Sequence, residues 1–341
     1  MTEPGKPTLD AFSKEITRLD VMPLWERAES MMRPGTECVP KLWRYGELKP
    51  KLLEAASLIS KEKAERRVLV LENPSLRGST FVASTLYAGL QIILPGETAR
   101  SHRHSPSALR FLIEGEGGYT SVGGERAFMR PGDFVVTPSW SWHEHGNEGT
   151  GPVVWMDGLD TPFTRFFGAT FRENATGGEN VPARKEGLAS ATYGANLLPV
   201  DFKPDGLTSP VVLYPYERTR AALQALSQQD KPHPAYGVKL RYVNPATGKH
   251  PFPTMAAAMQ LLPAGFSGHG YRSTESAVFT VVEGSGHVEA GGASFSFLPH
   301  DIFVIPAWCP YRLQAERDVV LFSFSDRAAQ EELGFWREES A

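Results

Sequence analysis

Residues 96–147 read GETARSHRHSPSALRFLIEGEGGYTSVGGERAFMRPGDFVVTPSWSWHEHGN, and this stretch decides the fold. Short β-rich runs alternate with Gly- and Pro-containing turns, the spacing of an antiparallel sandwich or barrel. In a strand, residues i and i+2 face the same side, so His102 and His104 point together into an interior. His143 arrives from a later strand. Imidazole is the commonest protein ligand for first-row divalent metals, so the three histidines are candidate metal ligands.

The same texture runs outward from this stretch, from Arg66 to about residue 165, and returns from about 255 to 325. The two β-rich regions repeat each other: EGEGGYTSVGGERAFMRPGDFVVTPSW lies over EGSGHVEAGGASFSFLPHDIFVIPAW. Gly96, Gly115, Pro138 and Trp140 answer to Gly265, Gly284, Pro306 and Trp308, at an offset of 169 and then 168 residues. An internal duplication of one barrel follows. The second copy lacks the metal ligands, since Tyr271, Ser273 and Tyr311 stand at the positions of His102, His104 and His143. His269, His287 and His300 fall on no ligand position. The second barrel is therefore expected to be a packing partner.

The predicted architecture is mainly β, with two tandem barrels. A helical segment spans 1–65, with helix-type patterning over residues 8 to about 32 and 46 to 65. The metal-binding barrel spans 66–165 and a Pro-, Gly- and Asn-rich connecting segment 166–250, with one helix at Glu217 to Gln229. The second barrel spans 251–325, and a helix closes the chain over 326–341.

The chain has 341 residues, 41% hydrophobic and 22% charged, with a net charge of −4. No global positive field exists for gripping nucleic acid or an anionic membrane, so an anionic substrate must be held by a few local cations. Cys38 and Cys309 form no CxxC or CxxH pattern and read as two free thiols in a reducing compartment. The N-terminus carries no secretory pattern and no apolar run reaches spanning length, so a cytoplasmic protein is expected.

Gly96, His102, His104, Gly115, Gly132, Pro138, His143 and Asn147 match the two motifs of the cupin superfamily, G-x5-H-x-H-x3-E-x6-G and G-x5-P-x-G-x2-H-x3-N, which this chain resembles. Two positions depart: Ala108 stands for the Glu and Trp140 for a Gly. Losing the Glu removes the usual fourth protein ligand and leaves a three-His face with open positions, as a catalytic metal needs. Leu42–Tyr45 (LWRY), 65–74 (ERRVLVLENP) and 86–160 further resemble the gentisate 1,2-dioxygenases, whose relatives open salicylate, nitro- and halosalicylates and 1-hydroxy-2-naphthoate. The resemblance implies a bicupin of double-stranded β-helix barrels and an Fe(II) centre on His102, His104 and His143. It implies aromatic ring cleavage by O2 between the carboxyl-bearing and hydroxyl-bearing carbons of gentisate or a related substituted salicylate. It also implies a homo-oligomer, usually a tetramer.

Further residues acquire expected roles in that setting. Arg110, an even offset from His102, suits the substrate carboxylate bidentately. Gln91, polar in an apolar strand, becomes a substrate-facing hydrogen bonder. His145 shares the face of His143 as a fourth ligand, an outer partner or a proton shuttle, with the resemblance favouring a non-ligand role. Asp157 either caps the turn before Gly158 or orients His145 or His143 as half of an acid/base pair. One of Arg66 and Arg67 faces inward, with Arg66 preferred as a second carboxylate contact. Tyr87 and Gly89 share the parity of Gln91 and are candidates for selecting the ring substituent. Trp140 and Trp142 either wall an aromatic pocket or belong to the core. Two rival readings keep the barrel: a metal-dependent isomerase or lyase acting on a small acid without oxygen, and a non-catalytic metal-binding bicupin.

Overall fold

The computed structural model describes residues 8–27, 32, 34–60, 66–177, 183–195, 197–204, 206–229 and 231–340. The chain divides into two units, Met1–Gly35 and Thr36–Ala341. In the first unit the helix Leu9–Thr17 starts at Thr8, whose hydroxyl accepts from the Ala11 amide, and a 3-10 turn follows at Leu24–Glu26. The helical patterning over 8–32 thus yields one short helix, and residues 28–31 lie outside the described residues.

Both barrels lie in the second unit. In the first barrel a six-stranded sheet runs, in spatial order, Leu213–Tyr214, Phe134–Thr137, Ala108–Glu114, Val153–Leu159, Tyr87–Ile93 and Arg67–Val70. Its partner sheet runs Arg172–Asn174, Thr98–His104, His143–Asn147, Gly118–Val122 and Glu125–Phe128. The central strands of the larger sheet are buried on both faces, which is why they read as near-continuous apolar runs. One set of alternate residues, Ala88, Leu90, Ile92, Leu109, Phe111 and Met156, joins a core that continues into the second barrel through Met259, Phe322 and Phe324. Phe111 stacks on Phe322 at 4.2 Å between ring centres. Gly158 sits at this junction, where a Cβ would meet Phe324 at 2.8 Å and Leu109 at 2.9 Å. The other alternate set faces the barrel interior, where Leu112, Val135, Trp155 and Met129 close one end.

The second barrel repeats the plan, with its sheet Ile302–Ile305, Ala277–Glu283, Val319–Ser325 and Ala256–Leu262 at the shared core. Its interior is a separate cluster built around Phe279, Phe297 and Phe303. The duplication extends further than the motifs. Asp160 Oδ1 accepts from the Ser107 amide and its other oxygen from Thr254; Asp326 Oδ1 accepts from the Ser276 amide and its other oxygen from Thr85 at 2.6 Å. Each barrel thereby anchors the strand entrance of the other. Trp140 and Trp308, in place of the motif glycine, both take the left-handed conformation, at φ 61° and 58°. An arginine covers each ring, Arg103 at 4.4 Å and Arg272 at 4.7 Å.

The expected domain limits need correction where backbone pairing crosses them. Lys41–Trp43, inside the segment read as helical, is a strand of the second barrel, and the helix that follows it runs over Tyr45–Leu58. Arg172–Asn174 and Leu213–Tyr214, read as connecting segment, pair with the first barrel, and Val238–Arg241 pairs with the second. The C-terminal helix is Arg327–Glu332, and after it Glu338–Ser340 forms an edge strand. These pieces are too short to show a strand period; tertiary contact alone selects their conformation.

Candidate metal centre

His102 and His104 project from the strand Thr98–His104, and His143 opens the neighbouring strand, directly opposite His102. All three rings are buried. Each Nδ1–H donates to a backbone carbonyl two residues away: His102 to Arg100 at 2.9 Å, His104 to Pro106 at 2.7 Å and His143 to Ser141 at 2.8 Å. That arrangement sets the tautomer, leaving each Nε2 with a lone pair turned inward. None of the three Nε2 atoms has a hydrogen-bond partner among the described residues, and the ligand atoms of the trio lie within 4.8 Å of one another. Three orphaned, buried lone pairs converging on one point are costly unless something binds there, and a divalent metal is what fits. Burial and the nearby guanidinium of Arg66 push His102 down to about 2; burial pushes His104 down to about 4; His143 lies well below its ordinary range for the same first reason. The rings are neutral at pH 7, as metal ligation requires.

The opposite wall is built by the register of the larger sheet. Gly89, Asp157, Arg110 and Val135 form one cross-strand row, with Tyr87, Leu159, Ala108 and Thr137 in the row beside it and Gln91, Trp155 and Leu112 on the other side. Arg110 is fully buried. It donates to Thr137 Oγ1 at 2.6 Å and to His145 Nε2 at 2.8 Å, and its Nε lies 3.4 Å from Asp157 Oδ1. Because a guanidinium only donates, His145 Nε2 must accept, so Nδ1 carries the proton and donates to Thr120 Oγ1 at 3.1 Å. His145 has no lone pair left for a metal. Asp157 also accepts from the Trp155 indole at 3.0 Å. Asp157 neither caps a turn, since it lies within the strand Val153–Leu159, nor pairs with His145 or His143: the arginine stands between carboxylate and imidazole, because Arg110 rather than a histidine is its cross-strand neighbour. Burial lowers Arg110 to about 10 and raises Asp157, each partly offset by the other's charge.

Gln91 is buried with both amide atoms unpartnered among the described residues. Gly89 has no room for a side chain, since a Cβ would lie 2.7 Å from Val68 and 3.0 Å from the Tyr87 hydroxyl. Tyr87 itself is held protonated by burial and the Asp157 charge. Arg67 turns away, pairing with both oxygens of Glu97 and donating to the Ile59 carbonyl at 2.8 Å. The charge of Arg66 acts on His102, His104, His145 and Asp157. Asn147 ties a turn through the Ile93 and Gly151 carbonyls. Trp140 and Trp142 both lie against Arg103. Sequence reasoning missed Thr137, Thr120 and Trp155; the one available signal was a polar residue ending the apolar run FVVT.

The cupin domain family matches residues 89–159, which contain all of these site residues except Arg66 and Tyr87. A gentisate 1,2-dioxygenase of Aquipseudomonas alcaligenes is 48% identical over 331 residues, spanning 96% of this chain and 95% of that one. The chain belongs to the gentisate 1,2-dioxygenase family. It is an enzyme of the ring-cleaving 1,2-dioxygenase class. Within reach of that family, a 5-aminosalicylate 1,2-dioxygenase of Comamonas sp is 32% identical, covering 97% of this chain and 90% of the relative. The salicylate 1,2-dioxygenase of Pseudoaminobacter salicylatoxidans, solved with gentisate, superposes with a TM-score of 0.90 at 33% identity, covering 100% of this chain and 96% of that one.

Proposed function

We propose that this enzyme holds Fe(II) on His102, His104 and His143 and uses O2 to open gentisate, or a closely related substituted salicylate, between the carboxyl-bearing and hydroxyl-bearing carbons. The observation that carries the reading is the facing pair of surfaces: three unpaired imidazole Nε2 atoms on one sheet and a buried guanidinium on the other. Iron in that position would supply Lewis acidity toward the substrate's carboxylate and phenolate and electron exchange between ring and dioxygen.

The protein's own groups do the rest. Arg110 and Arg66 bind and orient the carboxylate, Arg110 through a planar fork already fixed by Thr137 and Asp157. A carboxylate that takes the Arg110 N–H now given to His145 releases His145 Nε2. That nitrogen then accepts the substrate hydroxyl, with Thr120 holding the ring in place. Gln91 supplies a donor and an acceptor for polar edges of the ring. The Tyr87 hydroxyl, lying across Gly89, meets a substituent such as the 5-hydroxyl. Trp155, Leu112 and Val135 exclude water from the closed end. Cytoplasmic location and a homotetramer belong to the same proposal, the tetramer on the strength of the resemblance.

Oxygen uptake by the anaerobically Fe(II)-loaded protein tests the reading, across gentisate, salicylate, 5-nitrosalicylate, 5-chlorosalicylate and 1-hydroxy-2-naphthoate. Stoichiometric uptake with a ring-opened product, fastest with gentisate, is expected. Iron bound with no uptake on any of the five would remove the dioxygenase reading for this chain.

A further inference from the structure

The barrel without metal ligands is not filled in. It keeps a cavity of about 200 Å³ at the place where the first barrel holds its site. The correspondence is residue by residue in the strand register. Ala256, Ser323 and Ser325 line the cavity at the positions of Tyr87, Asp157 and Leu159, each smaller than its counterpart. Lys239, paired with Gln260, takes the place of Val68, paired with Gln91. A barrel retained only for packing would close this space with larger apolar side chains.

Two charged groups in the lining have no oppositely charged side chain within ion-pair distance among the described residues. Lys239 makes no hydrogen bond or ion pair among the described residues; its Nζ lies 5.9 Å from the Tyr236 ring. Glu275 is buried, and among the described residues its oxygens accept only from neutral hydroxyls, Ser325 at 2.6 Å and Ser273 at 3.3 Å. Of the other basic side chains lining the cavity, Arg327 pairs with Glu331 at 2.6 Å, His250 Nε2 lies 2.9 Å from the same carboxylate, and Arg241 donates to the Gly248 carbonyl at 3.4 Å. Lys239 and Glu275 feel each other's charge but form no ion pair, so one ligand in this cavity can offer an anion to Lys239 and a donor to Glu275. A metal ion is disfavoured by the ammonium, and a dianion by the carboxylate. Since an apolar cavity of about 150 Å³ holds a benzene, this one suits a single ring or a short chain bearing polar groups.

We propose that the second barrel is a non-catalytic binding site for a small hydroxy-carboxylic acid, whose carboxylate pairs with Lys239 and whose hydroxyl donates to Glu275. The site would take the same chemical class as the first barrel, yet the inference stands on the second cavity alone. Burial lowers the Lys239 pKa, with Glu275 opposing, and a bound carboxylate would oppose it further.

Anaerobic calorimetric titration of the metal-loaded full chain with salicylate decides it. Two equivalents per chain are expected. Lys239→Met and, independently, Ala256→Phe should each remove one equivalent while leaving metal content and the other equivalent intact. Chelation should remove the first-barrel equivalent and spare the second, so the second site is read whether or not the dioxygenase reading holds. Benzoate, lacking the hydroxyl, should bind the second site at least about 10-fold more weakly, the loss of one hydrogen bond to a charged group. One equivalent at most in wild type, a second equivalent untouched by both substitutions, or none in the chelated protein would each overturn the proposal. Benzoate or inorganic phosphate binding as tightly as salicylate would reduce the site to a simple anion pocket and overturn its hydroxy-acid character.

Discussion

Arg110 donates to Nε2 of His145 across 2.8 Å, between strands whose side chains both point into the first barrel. This one bond removes His145 from the metal-ligand set while leaving it beside the site. It also gives an incoming carboxylate a donor to capture, so binding and the release of an acceptor nitrogen are one event.

His145→Ala is therefore expected to keep one metal per chain and to lower kcat/KM on the order of 100-fold, the scale of a lost proton-handling group. His104→Ala should lose the metal itself. Metal analysis by emission spectrometry beside steady-state kinetics separates the two; loss of metal in His145→Ala would make it a ligand after all.

Arg110→Met removes the buried cation and strands Asp157, whose pairing it provides. A fall in kcat/KM of about 10- to 100-fold, the value of a charged hydrogen bond, is expected together with a destabilisation of about 3–5 kcal/mol. Adding Asp157→Asn should recover most of the stability and none of the activity. Urea midpoints of single and double variants check this, and equal midpoints would show that the pair carries no coupling.

Gln91→Leu should raise stability and lower activity together. The unpartnered buried amide costs about 1–3 kcal/mol in the free enzyme, and an isosteric apolar side chain avoids that cost. Thermal melts and KM for gentisate are the measurements; a destabilised variant would mean that the amide is already satisfied in the free enzyme.

Burial raises the carboxyl of Asp160 from 3.8 to about 6, outweighing the hydrogen bonds from Thr254 and Ser107. The folded protein then holds a proton that the unfolded chain has released between about pH 4 and pH 6, so this group's contribution to stability falls as pH rises through that window and is level above it. The full effect is about 3 kcal/mol. The stability of wild type relative to Asp160→Asn should decline by about 2 kcal/mol between about pH 4.5 and pH 7 in urea titrations; a difference independent of pH would contradict the raised value.

What the sequence by itself determined is what strand periodicity and turn chemistry carry locally. The even spacing of His102 and His104 and the repeat at an offset of 169 residues place a three-His site in one barrel of a duplicated pair. The even parity of Tyr87, Gly89 and Gln91 likewise holds in the sheet. Tertiary structure alone decided which groups face each other across strands. Asp157 meets Arg110 because the two strands pair in that register, a fact encoded in no local stretch. Arg67 takes no part in the site because Glu97, thirty residues on, claims its guanidinium. The reciprocal anchors Thr254 to Asp160 and Thr85 to Asp326, and the open cavity around Lys239, exist only because two copies of one barrel pack through a shared core. Local sequence sets which face a side chain takes; long-range pairing sets what it finds there.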